Sequence, residues 1–103
     1  MAANIIKEPS LIYTQCFRQA LRITHTRSDD EINDLICACR ADLMLGGIIA
    51  EKAHDEGDYL VKRACMCYVK AEFGLDNADA DKYRESYQMI KRHLMLSSEY
   101  TEA

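Results

Sequence analysis

Apolar side chains recur along this chain in steps of three and four, and no stretch alternates convincingly in steps of two. That spacing is the period of amphipathic helices. Four stretches carry it. In SLIYTQCFRQALRI, residues 10–23, Ile12 and Tyr13, Cys16 and Phe17, and Ala20 and Leu21 are neighbouring pairs four residues apart, which makes a wide buried stripe. Pro9 just before them suits a helix entrance. In SDDEINDLICACRADLML, residues 28–45, Ile32, Leu35, Ile36, Cys39 and Leu43 share a face. Ser28 and Glu31 have capping-box spacing, Asp29 and Asp30 place negative charge in the first turn, and Gly46 and Gly47 close the segment.

The third stretch is DYLVKRACMCYVKAEF, residues 58–73, with Asp58 as N-cap and Gly74 as terminator. Leu60, Val61, Ala64, Cys65, Cys67, Tyr68 and Ala71 cover well over half of its circumference, so it is expected to be the most buried helix. The fourth is ADADKYRESYQMIKRHLML, residues 78–96, in which Tyr83, Tyr87, Ile90 and Leu94 form a 4-3-4 seam. Lys91, Arg92 and His93 fall in its last turns, where cations suit the helix dipole. Residues 46–57, GGIIAEKAHDEG, are longer than most helix–helix links, and Ile48 and Ile49 are expected to pin them to the core. The pattern predicts an all-α fold: a small bundle of four main helices with a longer connection between helices two and three. It forms a single domain over residues 1–103, with an N-terminal arm at 1–9 and a polar C-terminal tail at 98–103.

Composition agrees. Hydrophobic residues make up 49% and charged residues 29% of the 103 positions, with one Pro and four Gly, so long loops are few. The net charge of −4 argues against a dedicated nucleic-acid binder, which carries a basic stripe. No apolar run approaches the roughly 20 residues of a membrane span. The opening MAANIIKEPS has no apolar h-region, so a soluble, intracellular protein is expected.

The five cysteines, at 16, 37, 39, 65 and 67, are an odd number and do not suit a disulfide framework. Both Cys-x-Cys pairs lie in helical segments, where residues two apart point about 200° away from each other. Neither pair can clasp one zinc ion, and buried reduced thiols are expected instead. FGLDNADADKY, residues 73–83, raises a second metal question, because Asn77, Asp79 and Asp81 have the spacing with which a calcium loop begins. Counted from Asn77, position six is Lys82 and position twelve Gln88, where Gly and Glu are needed. Counted from Asp76, Ala78 stands where a ligand belongs. A helix junction fits better: Gly74 stops one helix, Asp76 or Asn77 caps the next, and Asp79 and Asp81 sit at its positive end.

Catalytic candidates are absent. His25, His54 and His93 are scattered over three segments, and no zinc-protease, nucleophile-elbow, phosphate-loop or dinucleotide motif occurs. A Cys16–His25 dyad would need a cleft that so small a bundle rarely offers. No enzyme activity, catalytic residue, cofactor or metal is expected. Among the six tyrosines, Tyr68, Tyr83 and Tyr87 suit the core with the hydroxyl at its rim, whereas Tyr13, Tyr59 and Tyr100 could serve an interface.

The order ALRIT, SDDEINDLICACRADL, Gly-Ile, then DYLVKRACMCYVKAEFGLDNADADKYRESYQMIKRHLMLSSEY resembles the head–tail connector family of tailed bacteriophages and prophages, also described as DNA-packaging proteins. The likeness covers about residues 16–100 and is most specific in DDEINDLI, LVKRACMCYVKAEFG and YQMIKRHLMLS. It departs at Gly57 and Tyr59, where an acidic residue and a proline are expected. The resemblance implies a helical bundle that assembles as a homo-oligomeric ring, commonly of twelve, beneath the portal protein. Such a ring extends the DNA channel without sequence-specific binding and docks the stopper or tail-completion protein. The setting it implies is the head–tail junction of the virion, assembled in the bacterial cytoplasm and away from membranes. It also marks residues. Ser98, Glu99, Tyr100, Thr101 and Glu102 become candidate portal contacts, in a tail expected to be loosely held in the free subunit. Ile12, Tyr13 and Phe17 become candidate ring-interface residues. The rival reading is a small prophage-encoded regulatory bundle that binds a host or phage protein.

Overall fold

A computed structural model describes residues 5–74 and 77–102. Six helices follow one another: α1 (Leu11–Ala20), α2 (Asp29–Leu45), α3 (Ala50–Ala53), α4 (Tyr59–Glu72), α5 (Ala80–Met95) and α6 (Ser98–Thr101). The four long ones are the four periodic stretches. The two single-turn helices fall in the 46–57 connection and in the tail, where four residues are too few to show a period. Among the described residues there is no strand, and no described helix is long and apolar enough to cross a membrane.

Side-chain bonds fix the directions of the helices. Arg18 forks onto Asp29 at 2.9 Å, and the Thr14 hydroxyl donates to Asn33, so α1 and α2 are antiparallel. The Gly74 backbone N–H donates to the Glu31 carboxylate, which sets the end of α4 beside the start of α2. Arg84 bonds Glu72, and the Tyr68 and Tyr87 rings meet edge-on at 5.1 Å, so α5 is antiparallel to α4. Consequently α1 begins, α2 ends, α4 begins and α5 ends at one pole of the bundle. The short helices α3 and α6 lie at that pole too: the Ile49 N–H donates to the Tyr100 carbonyl at 2.8 Å, and Lys52 reaches Glu99.

Helix α4 runs through the middle. Val61, Ala64, Cys65, Cys67, Val69 and Ala71 are buried, more positions than on any other helix, as its apolar breadth predicts. Phe17 from α1, Ile32, Ile36, Cys39 and Leu43 from α2, and Tyr87 and Leu94 from α5 close around it. Leu60, expected inside, is half exposed in the first turn.

The ends of the elements follow backbone chemistry. Ser10 caps α1 by accepting from the Tyr13 N–H. That helix stops at Ala20, three residues before the periodic stretch does, because Arg22 turns left-handed at φ 60°. The Ile23 N–H then returns to the Arg18 carbonyl and the Arg22 N–H to Gln19, a Schellman closure. The end of α2 repeats it with Gly47 at φ 106°: Ile48 N–H bonds the Leu43 carbonyl and Gly47 N–H bonds Met44. Ile48 is buried there as expected, beside Leu43. The expected capping box at Ser28 does not form. The Ser28 side chain makes no cap bond, and Glu31 is drawn to Gly74. In the acidic turn, Asn77 accepts from the Asp79 N–H and its amide bonds the Lys70 carbonyl, joining α4 to α5; Asp76 lies outside the described residues.

Candidate docking surface

Helices α2 and α5 both end in Leu-Met-Leu. On a helix the two leucines of such a triplet point about 200° apart, so one can enter the core and the other cannot. Leu43 and Leu94 are 0% and 2% exposed, whereas Leu45 and Leu96 are 88% and 82% exposed. The two ends meet: a Cβ placed on Gly46 would come within 2.8 Å of Lys91 and 3.2 Å of the Met95 sulfur. Two outward leucines and Met95 therefore all lie at the α3–α6 pole.

The remaining exposed large hydrophobic residues lie mostly around the same pole. Leu11 and Ile12 are on the outer face of the first turn of α1, and Tyr59 and Leu60 open α4. Ile5 is on the N-terminal arm, and Ile6, Ala41, Met44 and Leu45 line a groove beside it. Among the described residues only Met89 stands further down, on the middle of α5. The opposite pole carries ion pairs instead, Arg18 with Asp29 and Arg84 with Glu72 and Asp81. Burying a side chain such as Leu, Ile or Met contributes about 1.5–3 kcal/mol. Such residues gathered at one end of a small bundle make that end a candidate docking surface.

A polar clasp braces this pole. Arg40 is 2% exposed and donates to the Lys7 carbonyl at 2.6 Å and to Glu56 at 3.1 Å, with its guanidinium 5.5 Å from the Tyr13 ring centre. Glu56 also accepts from the Ser10 hydroxyl and N–H, and His54 Nε2 accepts from the Lys7 N–H. Burial alone would raise the Glu56 carboxyl; the Ser10 bonds and the Arg40 charge outweigh it and hold it below the usual range. The arm at 7–10 is thereby bonded to α2 and to the loop before α4.

The structure separates the residues singled out from sequence. Of the candidate ring contacts, Ile12 is exposed, while Tyr13 and Phe17 are core residues whose rings pack at 4.9 Å. Within the folded chain those two have no free surface to offer a neighbour. The tail is not loosely held. Ser98–Thr101 form α6, Tyr100 is 7% exposed, and its hydroxyl donates to Asp58 at 2.8 Å. Burial first and the Asp58 bond second push the Tyr100 hydroxyl up to about 12. Ser98, Glu99 and Glu102 remain exposed on the outer side of that turn, and Thr101 is half-buried with its hydroxyl on the Ser97 carbonyl. Leu45, Leu96 and Leu11 were not read from sequence as surface residues. The available signal was their position two residues from Leu43, Leu94 and Tyr13, which puts them on the far side of their helices.

Burial raises the Cys39, Cys67 and Cys37 thiols, which keeps them protonated and poor nucleophiles. His25 is held by the Arg27 N–H. The sequence model of a family described as phage connector protein matches residues 15–101, which takes in α2 to α6 and the second half of α1 but leaves out the arm and the first turn of α1. The chain belongs to the phage connector protein family. No curated protein and no solved structure matches it. Of the apolar residues at the α3–α6 pole, Leu45, Tyr59, Leu60, Met95 and Leu96 lie within the matched residues, and Ile5, Leu11 and Ile12 lie outside them.

Proposed function

We propose that this chain is a head–tail connector subunit, several copies of which form a ring under the portal of a tailed phage, extend the DNA channel and dock the stopper or tail-completion protein. The observation that carries the reading is the gathering of exposed apolar side chains at the α3–α6 pole of a chain of this family. Docking needs surface, not turnover, and the bundle supplies a rigid one through the Arg40 clasp and the Tyr100–Asp58 bond. The net charge of −4 suits a wall past which DNA moves without being retained, since cations on phosphates are what bind it.

Adding the purified chain to the portal protein and weighing the complex tests this. A mass increase equal to a closed ring of subunits is expected. No stable complex, or one or two copies per portal, would refute the reading.

A further inference from the structure

The outer faces of α2 and α4 carry stripes of identical spacing and opposite character. On α4, Tyr59, Arg63, Met66 and Lys70 recur at 4-3-4, with two cations and no acid among them. On α2, read backwards, Leu45, Ala41, Ala38 and Asp34 recur at the same 4-3-4. Tyr59, Arg63, Leu45, Ala38 and Asp34 are exposed, and Met66, Lys70 and Ala41 are half-buried. Among the described residues Arg63, Lys70 and Asp34 have no ion-pair partner; the Lys70 ammonium rests over the Tyr83 ring at 5.5 Å. A groove lined by Tyr59, Lys62, Arg63 and Met66 lies on one stripe, and the groove of Ile6, Ala41, Met44 and Leu45 on the other.

Laid antiparallel, the two stripes pair position by position. Tyr59 meets Leu45, Arg63 lies along Ala41, Met66 fills the gap over Ala38, and Lys70 meets Asp34. Two large apolar side chains meet at one end, Arg63 and Met66 face the small Ala41 and Ala38, and the Lys70 cation faces the Asp34 carboxylate at the other end. Each stripe lies about 130° around its helix from Cys65 or Cys39, through which α2 and α4 pack inside one chain. The stripes thus face opposite flanks of the bundle. An interface between two different faces on opposite flanks is heterologous, and repeated rotation closes it into a ring. Copies related by rotation about an axis along the bundle keep their helix directions, so α4 of one copy meets α2 of the next antiparallel.

We propose that copies of this chain associate through these two stripes, α4 of one copy against α2 of its neighbour, in the register Tyr59–Leu45 to Lys70–Asp34. The proposal rests on the ring reading above and names its faces.

Oxidative cross-linking tests it, with and without the portal protein and against the unsubstituted chain as control for the native thiols. A chain carrying both Tyr59→Cys and Leu45→Cys should give a ladder of covalent oligomers. Either substitution alone should give nothing beyond the control, and a mixture of the two single variants should stop at dimers. Lys70→Glu or Asp34→Lys alone should weaken association about two- to fivefold, and the two in one chain should restore it. Self-cross-linking of a single variant, or no ladder from the double one, overturns the pairing. Native mass separates the causes. A ring-sized particle without a ladder sinks these faces and leaves the ring; no particle above the monomer, alone or on the portal, sinks both.

Discussion

The Tyr100 hydroxyl donates to one oxygen of the Asp58 carboxylate at 2.8 Å, and the other oxygen of the same group caps α4 by accepting from the Leu60 and Val61 N–H groups. The end of the chain is therefore tied to the start of the central helix. Tyr100→Phe should cost about 1.5–3 kcal/mol, the range for a hydrogen bond to a charged partner. Deleting residues 98–103 should cost more, because it also removes about 1.5–3 kcal/mol of buried aromatic surface. Urea unfolding of the three proteins measures both. Equal midpoints would show that the tail is not part of the folded core.

Arg40 should be the most sensitive charged residue. Arg40→Ala removes the buried cation, leaving Glu56 with only its Ser10 donors and the Lys7 carbonyl with only the Cys37 thiol, and should destabilise by about 3 kcal/mol. Arg40→Met keeps most of the packing and removes the buried charge, whose Nε has no hydrogen-bond partner, so it should cost less. The reverse order of the two variants in thermal unfolding would contradict this account of the clasp.

Acid should weaken the fold. Burial alone would raise the Asp42 carboxyl, but the Tyr87 hydroxyl and Lys91 ammonium outweigh it and hold it low. Asp29 is lowered by its bond to Arg18 and Glu56 by Ser10 and Arg40. All three bind protons more weakly folded than unfolded. Their contribution is complete above the unfolded carboxyl range near pH 4 and is lost as pH falls through the folded values. The urea midpoint should be flat above about pH 5 and drop below pH 4, with a shallower drop in Asp42→Asn. An acid limb unchanged by Asp42→Asn would show that Asp42 is not linked to folding.

Arg22 occupies a left-handed position that costs a non-glycine residue about 1–2 kcal/mol. Its backbone makes the closure of α1, and its side chain is exposed. Arg22→Gly should raise stability by up to about 1 kcal/mol, less than the full relief because glycine also frees the unfolded chain. A lower melting temperature would mean that the side chain contributes something its exposure does not suggest.

The four long helices were legible because each repeats its apolar positions several times, and Asp58 announced the start of α4. The Schellman turn at Arg22 was not legible, because no residue type there marks a left-handed position. The capping pair Ser28–Glu31 misled, since Gly74, 43 residues away from Glu31, supplied a competing donor. Four tail residues cannot show a period, so the sequence left Tyr100 open between an anchor for a partner and a side chain folded back on the fourth long helix. Its real partners, Asp58 and Ile49, are distant in sequence. Tyr13 and Phe17 belong to the wide apolar stripe of α1, and the family resemblance made them candidate ring contacts, but a central α4 had room to bury both. The docking surface was half-written in the two Leu-Met-Leu endings, and only the meeting of α2 and α5 at Gly46 gathered them.

The central claim is that the apolar α3–α6 pole exists to be covered. Leu45→Asp with Leu96→Asp removes two exposed leucines without touching the core, so the melting temperature should stay within a few degrees of the parent. The deciding measurement is the mass of the complex that each protein forms with the portal protein. The parent should bind as a multi-copy ring and the double variant should remain free. A correctly folded double variant that still forms the parent's complex would contradict the claim.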